Sequence, residues 1–398
     1  MTSYFDDLET RSADARDAAQ TAALRARLAE ARAPDDWKEI AQDVKSLADL
    51  PQMPVLRKSD LASWQKARPP FGGIKTSNVA HIFQSPGPIY EPGGITHDWW
   101  RIGRFLHACG IGKDDIVQNC FSYHLTPAGM IFESGARAVG ATVLPAGIGQ
   151  TELQVRAAHD VGVTAYAGTP DYLKVILDKA EAMGLSLNIS RAAVGGGALF
   201  PSLRQEYADR GILCLQNYAT ADLGNIAYES EAQEGMIIDE GVIVEIVTPG
   251  TGNPVAMGEV GEVVVTALNP DYPLIRFATG DLSAVMQGES PCGRTNMRIK
   301  GWMGRADQTA KIKGMFVRPE QVADFVAKHK EVSRARVIAT REGEMDAMTV
   351  QIETEATDAD RYRISMADTL KLKGKIELVA KGSLPNDGLV IEDQRSYD

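Results

Sequence analysis

An aspartate that follows a run of strand-forming residues could bind a sugar. Residues 272–278 favour a β-strand, and Thr279, Gly280 and Asp281 come directly after them. Because glycine interrupts a strand pattern, we predict that the strand ends at this Thr-Gly-Asp motif. A carboxylate held past a strand end can accept two hydrogen bonds from a cis-diol, which is the group that a ribose offers. An isolated motif of this kind would indicate only a turn, so the prediction depends on what surrounds it.

Three consecutive glycines form a second candidate site. Gly195, Gly196 and Gly197 follow a predicted strand, and glycines allow the backbone to approach a flat ring closely. A plain tight turn needs only one glycine, so the run favours ligand binding. The next predicted strand, at 212–218, leads into the polar sequence Tyr-Ala-Thr-Ala-Asp at 218–222.

A proline-rich segment at 83–94 is predicted to be a loop. Loops that bind phosphate do so through backbone N–H groups and hydroxyls. This segment contains three prolines, which donate no N–H, and a single serine, Ser85. The residues alone therefore favour a rigid turn without a ligand at least as much as a triphosphate cradle.

Polar and aromatic residues follow another predicted strand, at 114–121. Tyr123 and His124 lie just after its carboxyl end. Open α/β sheets bind ligands at the carboxyl ends of their strands, in loops of this composition. Both side chains are therefore candidates for lining a substrate pocket, although a single histidine in a loop is as often structural.

The elements that carry these groups alternate between strand and helix. The alternation runs through 114–218 and includes a helix at 151–161 for which Thr151 is the predicted N-cap. Such a pattern predicts a largely parallel sheet. Residues 241–268 alternate in β fashion and predict a distorted barrel or sheet subdomain, and residues 311–398 predict a small α+β domain.

Composition limits the classes of function. The chain has 398 residues, enough for a large core and about two domains. Its net charge of −11 argues against sequence-independent nucleic-acid binding. We expect neither a membrane span, which needs roughly 20 apolar residues, nor a signal peptide. The four cysteines are scattered, so neither a disulfide framework nor a metal cluster is predicted, and the cytoplasm is the expected location.

Taken in order, the motifs resemble those of the adenylate-forming superfamily of acyl-CoA ligases, and in particular its phenylacetate-CoA ligase branch. They lie at 50–61, 194–199, 217–222, 279–281, 304–307 and 311–314. Such an ordered set is specific for fold and less so for activity, because fold does not determine function. The resemblance implies an α/β protein with a large N-terminal domain at 1–304, built of parallel sheets flanked by helices plus a β-barrel-like part. A small, mobile α+β lid domain would follow at 305–398.

The resemblance also implies a role for each motif residue. The residues of the phosphate loop are Ser85, Gly87, Tyr90 and Gly93. The nucleotide-binding residues are Gly196, Gly197, Ala198, Asn217, Tyr218, Thr220, Asp281 and Arg305. The residues of the acyl pocket are Phe121, Tyr123, His124, Ala146, Gly147, Tyr166 and Gly197. Thr220 and Asp222 would act in catalysis, Asp222 as the Mg²⁺ ligand, and Asp307 would be the hinge of the C-terminal domain.

One position departs from the family pattern. The family places a catalytic lysine near the C-terminus, where this chain has Leu389. The lysine ammonium stabilises charge as the adenylate forms, and loss of one such group typically costs about 10²–10³ in rate. Leucine cannot replace it. The thioester-forming step does not use this lysine in the family.

Three functions are compatible with these features. The first is an AMP-forming acyl- or aryl-CoA ligase that uses ATP, Mg²⁺ and CoA on a small carboxylic acid, and the aromatic residues near the pocket favour an aromatic acid. The second is a relative impaired in adenylation, which keeps only thioester formation or ligand binding. The third, a non-enzymatic scaffold, has no positive support. We adopt the first and expect no nucleic-acid or membrane partner; a homodimer is possible by resemblance.

Overall fold

The computed structural model describes residues 4–30, 35–248, 252–306, 310–342, 345–385 and 390–395. The chain forms two compact units. Unit 1 comprises Met1–Thr279 and Ser283–Trp302, and unit 2 comprises Gly280–Leu282 and Met303–Asp398. The assignment of 1–304 as the nucleotide-binding domain and 305–398 as the lid stays a prediction.

Eight α-helices and fourteen strands lie before residue 303 in the described part of the chain, and strand β12 crosses from unit 1 into residues 280–282 of unit 2. The helices are α1 (Ala13–Glu30), α2 (Asp35–Asp43), α3 (Lys58–Ala67), α4 (Gly103–Ala108), α5 (Ala128–Ala138), α6 (Thr151–Val161), α7 (Pro170–Ala182) and α8 (Pro201–Asp209). The strands are β1 (His81–Ser85), β2 (Ile89–Gly93), β3 (Ile116–Asn119), β4 (Thr142–Leu144), β5 (Ala165–Gly168), β6 (Arg191–Val194), β7 (Leu213–Thr220), β8 (Gly224–Tyr228), β9 (Met236–Ile238), β10 (Val242–Val247), β11 (Gly261–Ala267), β12 (Leu274–Ser283), β13 (Val285–Met286) and β14 (Arg298–Ile299).

The largest sheet has the strand order β13-β14-β9-β8-β7-β6-β5-β3-β4. The five strands from β4 to β7 are mutually parallel, as the alternation of strand and helix predicted. Every residue of β5 is buried, which is typical of a parallel strand covered on both faces. Helices α7 and α8 each begin with a proline, whose fixed φ and missing N–H suit the first helical position.

Helix α6 has the predicted bounds but not the predicted cap. Gln150, in a left-handed conformation, precedes the helix, and Thr151 is its first residue. The Thr151 hydroxyl lies 3.2 Å from the Tyr172 hydroxyl. The prediction of Thr151 as N-cap was therefore wrong, because its side chain contacts the neighbouring helix α7 instead of the first turn of α6.

The proline-rich segment predicted to be a loop is an antiparallel hairpin of β1 and β2. Pro92 pairs in register with Ile82. A two-stranded ribbon has two open edges, so a proline in it can direct its missing donor away from the partner strand. The turn at 86–88 is thus much shorter than the predicted loop.

Strands β10, β11 and β12 form a three-stranded sheet, and the described strands form no closed barrel. The prediction that β12 ends at Thr-Gly-Asp was also wrong, because the strand continues to Ser283. Leu282 N donates to Gly304 O and Met303 N to Leu282 O, both at 2.8 Å. These bonds extend the strand past Gly280.

The N-terminal segment is fixed to unit 1 by buried ion pairs. Arg294 Nε lies 2.6 Å from Glu9 Oε1, and both side chains are at most 2% exposed. The Tyr228 hydroxyl donates to the same carboxylate oxygen at 2.7 Å. Arg16 Nε pairs with the buried Glu240 at 3.0 Å. Since a buried charge is costly without a partner, these pairs determine where the segment lies.

Unit 2 is an α+β unit. Its described elements are β15 (Ala310–Ile312), β16 (Met315–Val317), α9 (Pro319–Ala327), β17 (Val332–Glu342), β18 (Met345–Thr354), α10 (Asp360–Leu370), β19 (Lys375–Val379) and β20 (Ile391–Asp393). The sheet has the order β19-β18-β17-β20. It shares one core with both helices, which contribute Phe325, Tyr362 and Met366.

None of the helices in the described ranges combines the length and apolarity that a bilayer span requires.

Candidate active site

The carboxyl ends of the parallel strands meet at one edge of the large sheet. Backbone hydrogen bonds join neighbouring strand ends, from Gly147 N to Asn119 O (2.9 Å) and from Gly195 N to Gly168 O (3.2 Å). The segments that follow β3, β4, β5 and β6 therefore lie side by side. This is the edge at which open α/β sheets bind ligands.

The glycine turn after β6 leaves room for one polar side chain. A Cβ at Gly195 would lie only 2.4 Å from Asn217 Oδ1, so a larger residue there would displace the Asn217 side chain. Asn217 Nδ2 donates to Asn225 Oδ1 at 3.0 Å. Asn217 Oδ1 is buried and has no hydrogen-bond donor within the described residues. An unused acceptor beside an open backbone turn suits the amino group of a flat heterocycle.

The other predicted nucleotide residues of unit 1 flank this turn. The exposed ones are Gly196, Gly197 and Ala198. Tyr218, at the end of β7, is buried within the main core. Thr220 Oγ1 accepts a hydrogen bond from Leu223 N at 3.2 Å, so its hydroxyl hydrogen can still be donated to a ligand.

An aromatic pair lies after β3 in the predicted acyl pocket. The rings of Phe121 and Phe132 stack with centroids 4.3 Å apart. The Tyr123 hydroxyl accepts a hydrogen bond from Asn119 Nδ2 at 2.8 Å and also contacts Glu133. Burial, with a further contribution from Glu133, raises the pKa of Tyr123. The phenol therefore stays neutral beside the stacked Phe121–Phe132 pair.

The remaining predicted pocket residues are less alike in position. His124 is exposed, and Ala146 and Gly147 are partly buried at the sheet edge. Tyr166 is fully buried in a separate core cluster, and its hydroxyl donates to Thr169 O at 3.0 Å. His124, Ala146 and Gly147 therefore lie at the sheet edge, whereas Tyr166 lies in the core below that edge.

The groups predicted to bind phosphate are largely engaged within the protein. The Ser85 hydroxyl donates to Glu91 Oε1. Tyr90 N donates to Gln65 Oε1 at 2.9 Å, and Gln65 Nε2 donates back to Tyr90 O at 2.7 Å. Gly87 lies in the hairpin turn with φ of 152°. Their assignment to phosphate stays a prediction.

Gly93 has a packing role. A Cβ at Gly93 would lie 2.5 Å from the Phe83 ring and 2.9 Å from the Trp100 ring. Because only glycine fits there, the Phe83 ring of the partner strand and the Trp100 ring can both pack against this position.

A cluster of charged side chains lies between the hairpin, helix α3 and the end of β7. Lys58 Nζ lies 3.2 Å from Asp222 Oδ2, and Asp222 interacts electrostatically with the buried Glu91. Tyr272 interacts with both carboxylates. Of these four residues only Asp222 was assigned a role from the sequence. Lys58 and Glu91 lie in segments, at 50–61 and 83–94, that the sequence identified as motifs. Their separation in the sequence did not indicate that the two side chains lie in one cluster.

The electrostatics of this cluster favour protonation of one carboxylate. Burial raises the pKa of Glu91 to about 7, and the negative charge of Asp222 adds to the rise. Burial also raises the pKa of Asp222, although Lys58 opposes this. One ammonium thus faces two buried carboxylates.

Glu91→Gln is expected to make stability less dependent on pH. The folded-state pKa of Glu91, about 7, exceeds its ordinary value of 4.5, so the folded protein binds this proton more tightly than the unfolded chain. The corresponding stability is present below pH 4.5 and is lost as pH rises through 7, by at most roughly 3 kcal/mol. Chemical denaturation in EDTA at pH 5 and pH 8 should therefore show the wild type losing stability relative to the variant. An equal difference at both pH values would contradict the raised pKa.

The predicted ribose-binding residues lie in unit 2, where they pair with each other. Arg305 Nη1 lies 3.1 Å from Asp281 Oδ1, and Ala306 N donates to Gly280 O at 2.7 Å. A Cβ at Gly280 would lie 2.7 Å from Arg305 Nη2. Glycine at 280 therefore allows the guanidinium to cross the strand and reach Asp281. The predicted hinge Asp307 and the departure at Leu389 lie outside the described residues.

The chain is similar in sequence to several known proteins. The chain is 30% identical over 330 residues to the phenylacetate-coenzyme A ligase of Aromatoleum evansii, covering 78% of this chain and 73% of that protein. It is 29% identical over 379 residues to the Escherichia coli phenylacetate-coenzyme A ligase, covering 88% and 85%. The Thermus thermophilus phenylacetate-coenzyme A ligase is 29% identical over 328 residues, covering 78% and 73%. No protein-family model matches the chain.

Solved structures share the fold. An open conformation of 2-hydroxyisobutyryl-CoA ligase, in complex with 2-HIB-AMP and CoA, superposes with a TM-score of 0.81 at 24% identity. The superposition covers 97% of this chain and 93% of that one. An ATP-bound RpMatB-BxBclM chimera gives a TM-score of 0.57 at 16% identity, covering 81% and 68%. At these identities the likeness establishes the α/β fold alone.

Proposed function

The chain belongs to the phenylacetate-coenzyme A ligase family, and we propose that it joins an aromatic carboxylic acid to coenzyme A. As a member of that family it is an ATP-dependent, AMP-forming carboxylate-CoA ligase. The carboxylate oxygen attacks the α-phosphorus of ATP and pyrophosphate leaves; the CoA sulfur then attacks the acyl carbon, AMP leaves, and the thiol proton passes to solvent. The observation that carries the proposal is the 30% identity over 330 residues. The comparisons do not favour the impaired alternative.

The aromatic acid is proposed from the pocket wall. Phe121 and Phe132 form a stacked pair that can pack against a flat ring, and the neutral Tyr123 beside them presents no charge. The relatives are named for phenylacetate, which has such a ring. Aryl acids should therefore be preferred to alkyl acids of similar length.

Residues of each unit, taken separately, are proposed to contact a nucleotide. In unit 1, the open backbone at 195–198 and the unused Asn217 Oδ1 suit adenine, and the Thr220 hydroxyl suits a phosphate oxygen. In unit 2, Asp281 and Arg305 suit the ribose and a phosphate oxygen respectively.

Asp222 is proposed to hold a Mg²⁺ ion. Its Oδ1 atom is buried and has no donor in the described part of the chain, which fits a cation ligand. The cation would neutralise the phosphate oxygens during adenylation. Lys58, which holds Asp222 Oδ2, would orient the carboxylate and add positive charge near the phosphates.

The proposed function is tested by pyrophosphate release. Purified protein with ATP and Mg²⁺ is offered a panel of aryl and alkyl acids, with and without CoA. We expect acid-dependent release that is fastest with an arylacetate or a related aryl acid, and an acyl-CoA product when CoA is present. Absence of release with every acid would refute the ligase assignment. The cytoplasmic location, a homodimer, the hinge at Asp307 and the absence of nucleic-acid binding stay predictions.

A further inference from the structure

Three buried oxygen atoms near the hairpin lack hydrogen-bond partners within the described residues: Glu91 Oε2, Asp222 Oδ1 and Tyr272 Oη. Their residues are only 1%, 8% and 2% exposed. Most buried polar atoms in proteins are hydrogen-bonded, and one left unpaired costs about 1–3 kcal/mol. Three such atoms together therefore indicate a binding site for a group that the described residues do not supply.

The three groups are close enough to interact electrostatically. The Asp222 charge acts on Glu91, and both carboxylates act on Tyr272. When both carboxylates are ionised, their two negative charges face the single ammonium of Lys58. A buried charge needs a partner, so the cluster lacks positive charge.

Each carboxylate has one oxygen fixed and one oxygen free. The Ser85 hydroxyl holds Glu91 Oε1, and Lys58 Nζ holds Asp222 Oδ2 at 3.2 Å. Partners of this kind orient the ligands of metal ions. Here they leave Glu91 Oε2 and Asp222 Oδ1 as the two free acceptors.

We propose that Glu91 and Asp222 together bind one divalent cation of the Mg²⁺ type. Within the described ranges, no group of three or more histidine, cysteine, aspartate or glutamate residues is arranged to hold a metal. Two carboxylates suffice for Mg²⁺ when water and substrate phosphates complete its six oxygen ligands. The phosphates would be those of ATP, and in this the inference rests on the proposed function. The new element is Glu91, on the β1–β2 hairpin, as a second ligand.

With this assignment the hairpin can contact phosphate although its backbone offers few N–H donors. Prolines at 86, 88 and 92 remove three N–H donors, and the Ser85 hydroxyl is already donated to Glu91. A cation held by Glu91 would attract phosphate oxygens to the hairpin without those donors. The hairpin would then contact phosphate through the metal.

The experiment measures Mn²⁺ binding to the full chain by electron paramagnetic resonance at pH 8, without nucleotide. Wild type should bind one Mn²⁺, which excess Mg²⁺ displaces. Glu91→Gln and Asp222→Asn should each weaken binding by about tenfold or more. Glu245→Gln is the matched control, because the Glu245 carboxylate also has one oxygen paired to Arg276 and one buried oxygen without a partner in the described residues, although its side chain is 12% exposed. The affinity of this variant should equal that of the wild type. Circular dichroism confirms that each variant is folded.

Two results would overturn the proposal. One is a wild-type protein that binds no Mn²⁺ displaceable by Mg²⁺. The other is a folded Glu91→Gln variant with wild-type affinity, which would leave Asp222 as the sole carboxylate ligand. The experiment distinguishes the cation site from the ligase reaction. Mn²⁺ binding without acid-dependent pyrophosphate release would refute the proposed function and support the cation site. Pyrophosphate release by the wild type, with unchanged Mn²⁺ binding in Glu91→Gln, would refute the cation site alone.

Discussion

Asp222→Ala is expected to reduce acid-dependent pyrophosphate release by about 10²- to 10³-fold, the typical effect of removing one preorganised charged group. The substitution removes the free oxygen Oδ1 and the partner of Lys58. Negative charge that develops on the phosphates then loses its cation. Lys58 is 43% exposed at its side chain, so water can solvate its ammonium and the fold should persist. Release is measured at saturating ATP.

The second half-reaction provides an internal control for Asp222→Ala. A synthetic acyl-adenylate and CoA are supplied for this test. Thioester formation from them releases no pyrophosphate and does not need the charge stabilisation that Asp222→Ala removes, so it should be retained. Glu245→Gln, at a carboxylate that pairs with Arg276, should retain both half-reactions. Pyrophosphate release at the wild-type rate in Asp222→Ala would show that this residue has no part in adenylation. Equal loss of both half-reactions would point to a structural effect.

Glu9→Ala is expected to destabilise the protein by about 3–5 kcal/mol, the usual effect of removing one partner from a buried ion pair. The carboxylate receives a charged hydrogen bond from Arg294 Nε (2.6 Å) and a second hydrogen bond from the Tyr228 hydroxyl (2.7 Å). Its removal leaves a guanidinium that is 2% exposed without its counter-ion. For a protein of this size the melting temperature should fall by about 4–6 °C.

Glu152→Ala is the matched control for that prediction. Glu152 also pairs with cationic side chains, Arg156 at 3.1 Å and Lys179 at 3.3 Å, but all three are well exposed. Exposed pairs contribute about 0–1 kcal/mol, so the melting temperature should hardly change. If both variants have the same melting temperature, burial does not make the Glu9–Arg294 pair more stabilising than an exposed pair. The double variant Glu9→Ala/Arg294→Ala should be less unstable than the sum of the single ones, because it leaves no buried charge.

The sequence predicted the parallel sheet because each strand and its helix are local patterns. It failed where contacts between distant segments decide the structure. Strand β12 continues past Gly280 because residues 303–304 pair with it, and no property of Thr-Gly-Asp reveals that partner. The hairpin was missed because prolines are uncommon inside strands, and the three in this segment favoured a loop.

The candidate site was predictable in part for the same reason. Asn217 and Asp222 lie in motifs with a local signature, so they could be identified. Lys58, Glu91 and Tyr272 come from three separate segments and meet only after the chain folds. Their residue types suggest many roles. Only the ion pair of Lys58 with Asp222 and the unpaired, buried oxygens of Glu91 and Tyr272 indicate one. Sequence spacing carries no information of that kind.

The attachment of the N-terminal segment has a consequence for synthesis of the chain. Glu9 and Arg294 are 285 positions apart, and Arg16 and Glu240 are 224 apart. On the ribosome, the first helix emerges long before its docking partners are translated. The segment can therefore form the Glu9–Arg294 pair only after residue 294 has left the exit tunnel. Contacts of such long range are also entropically slow to form.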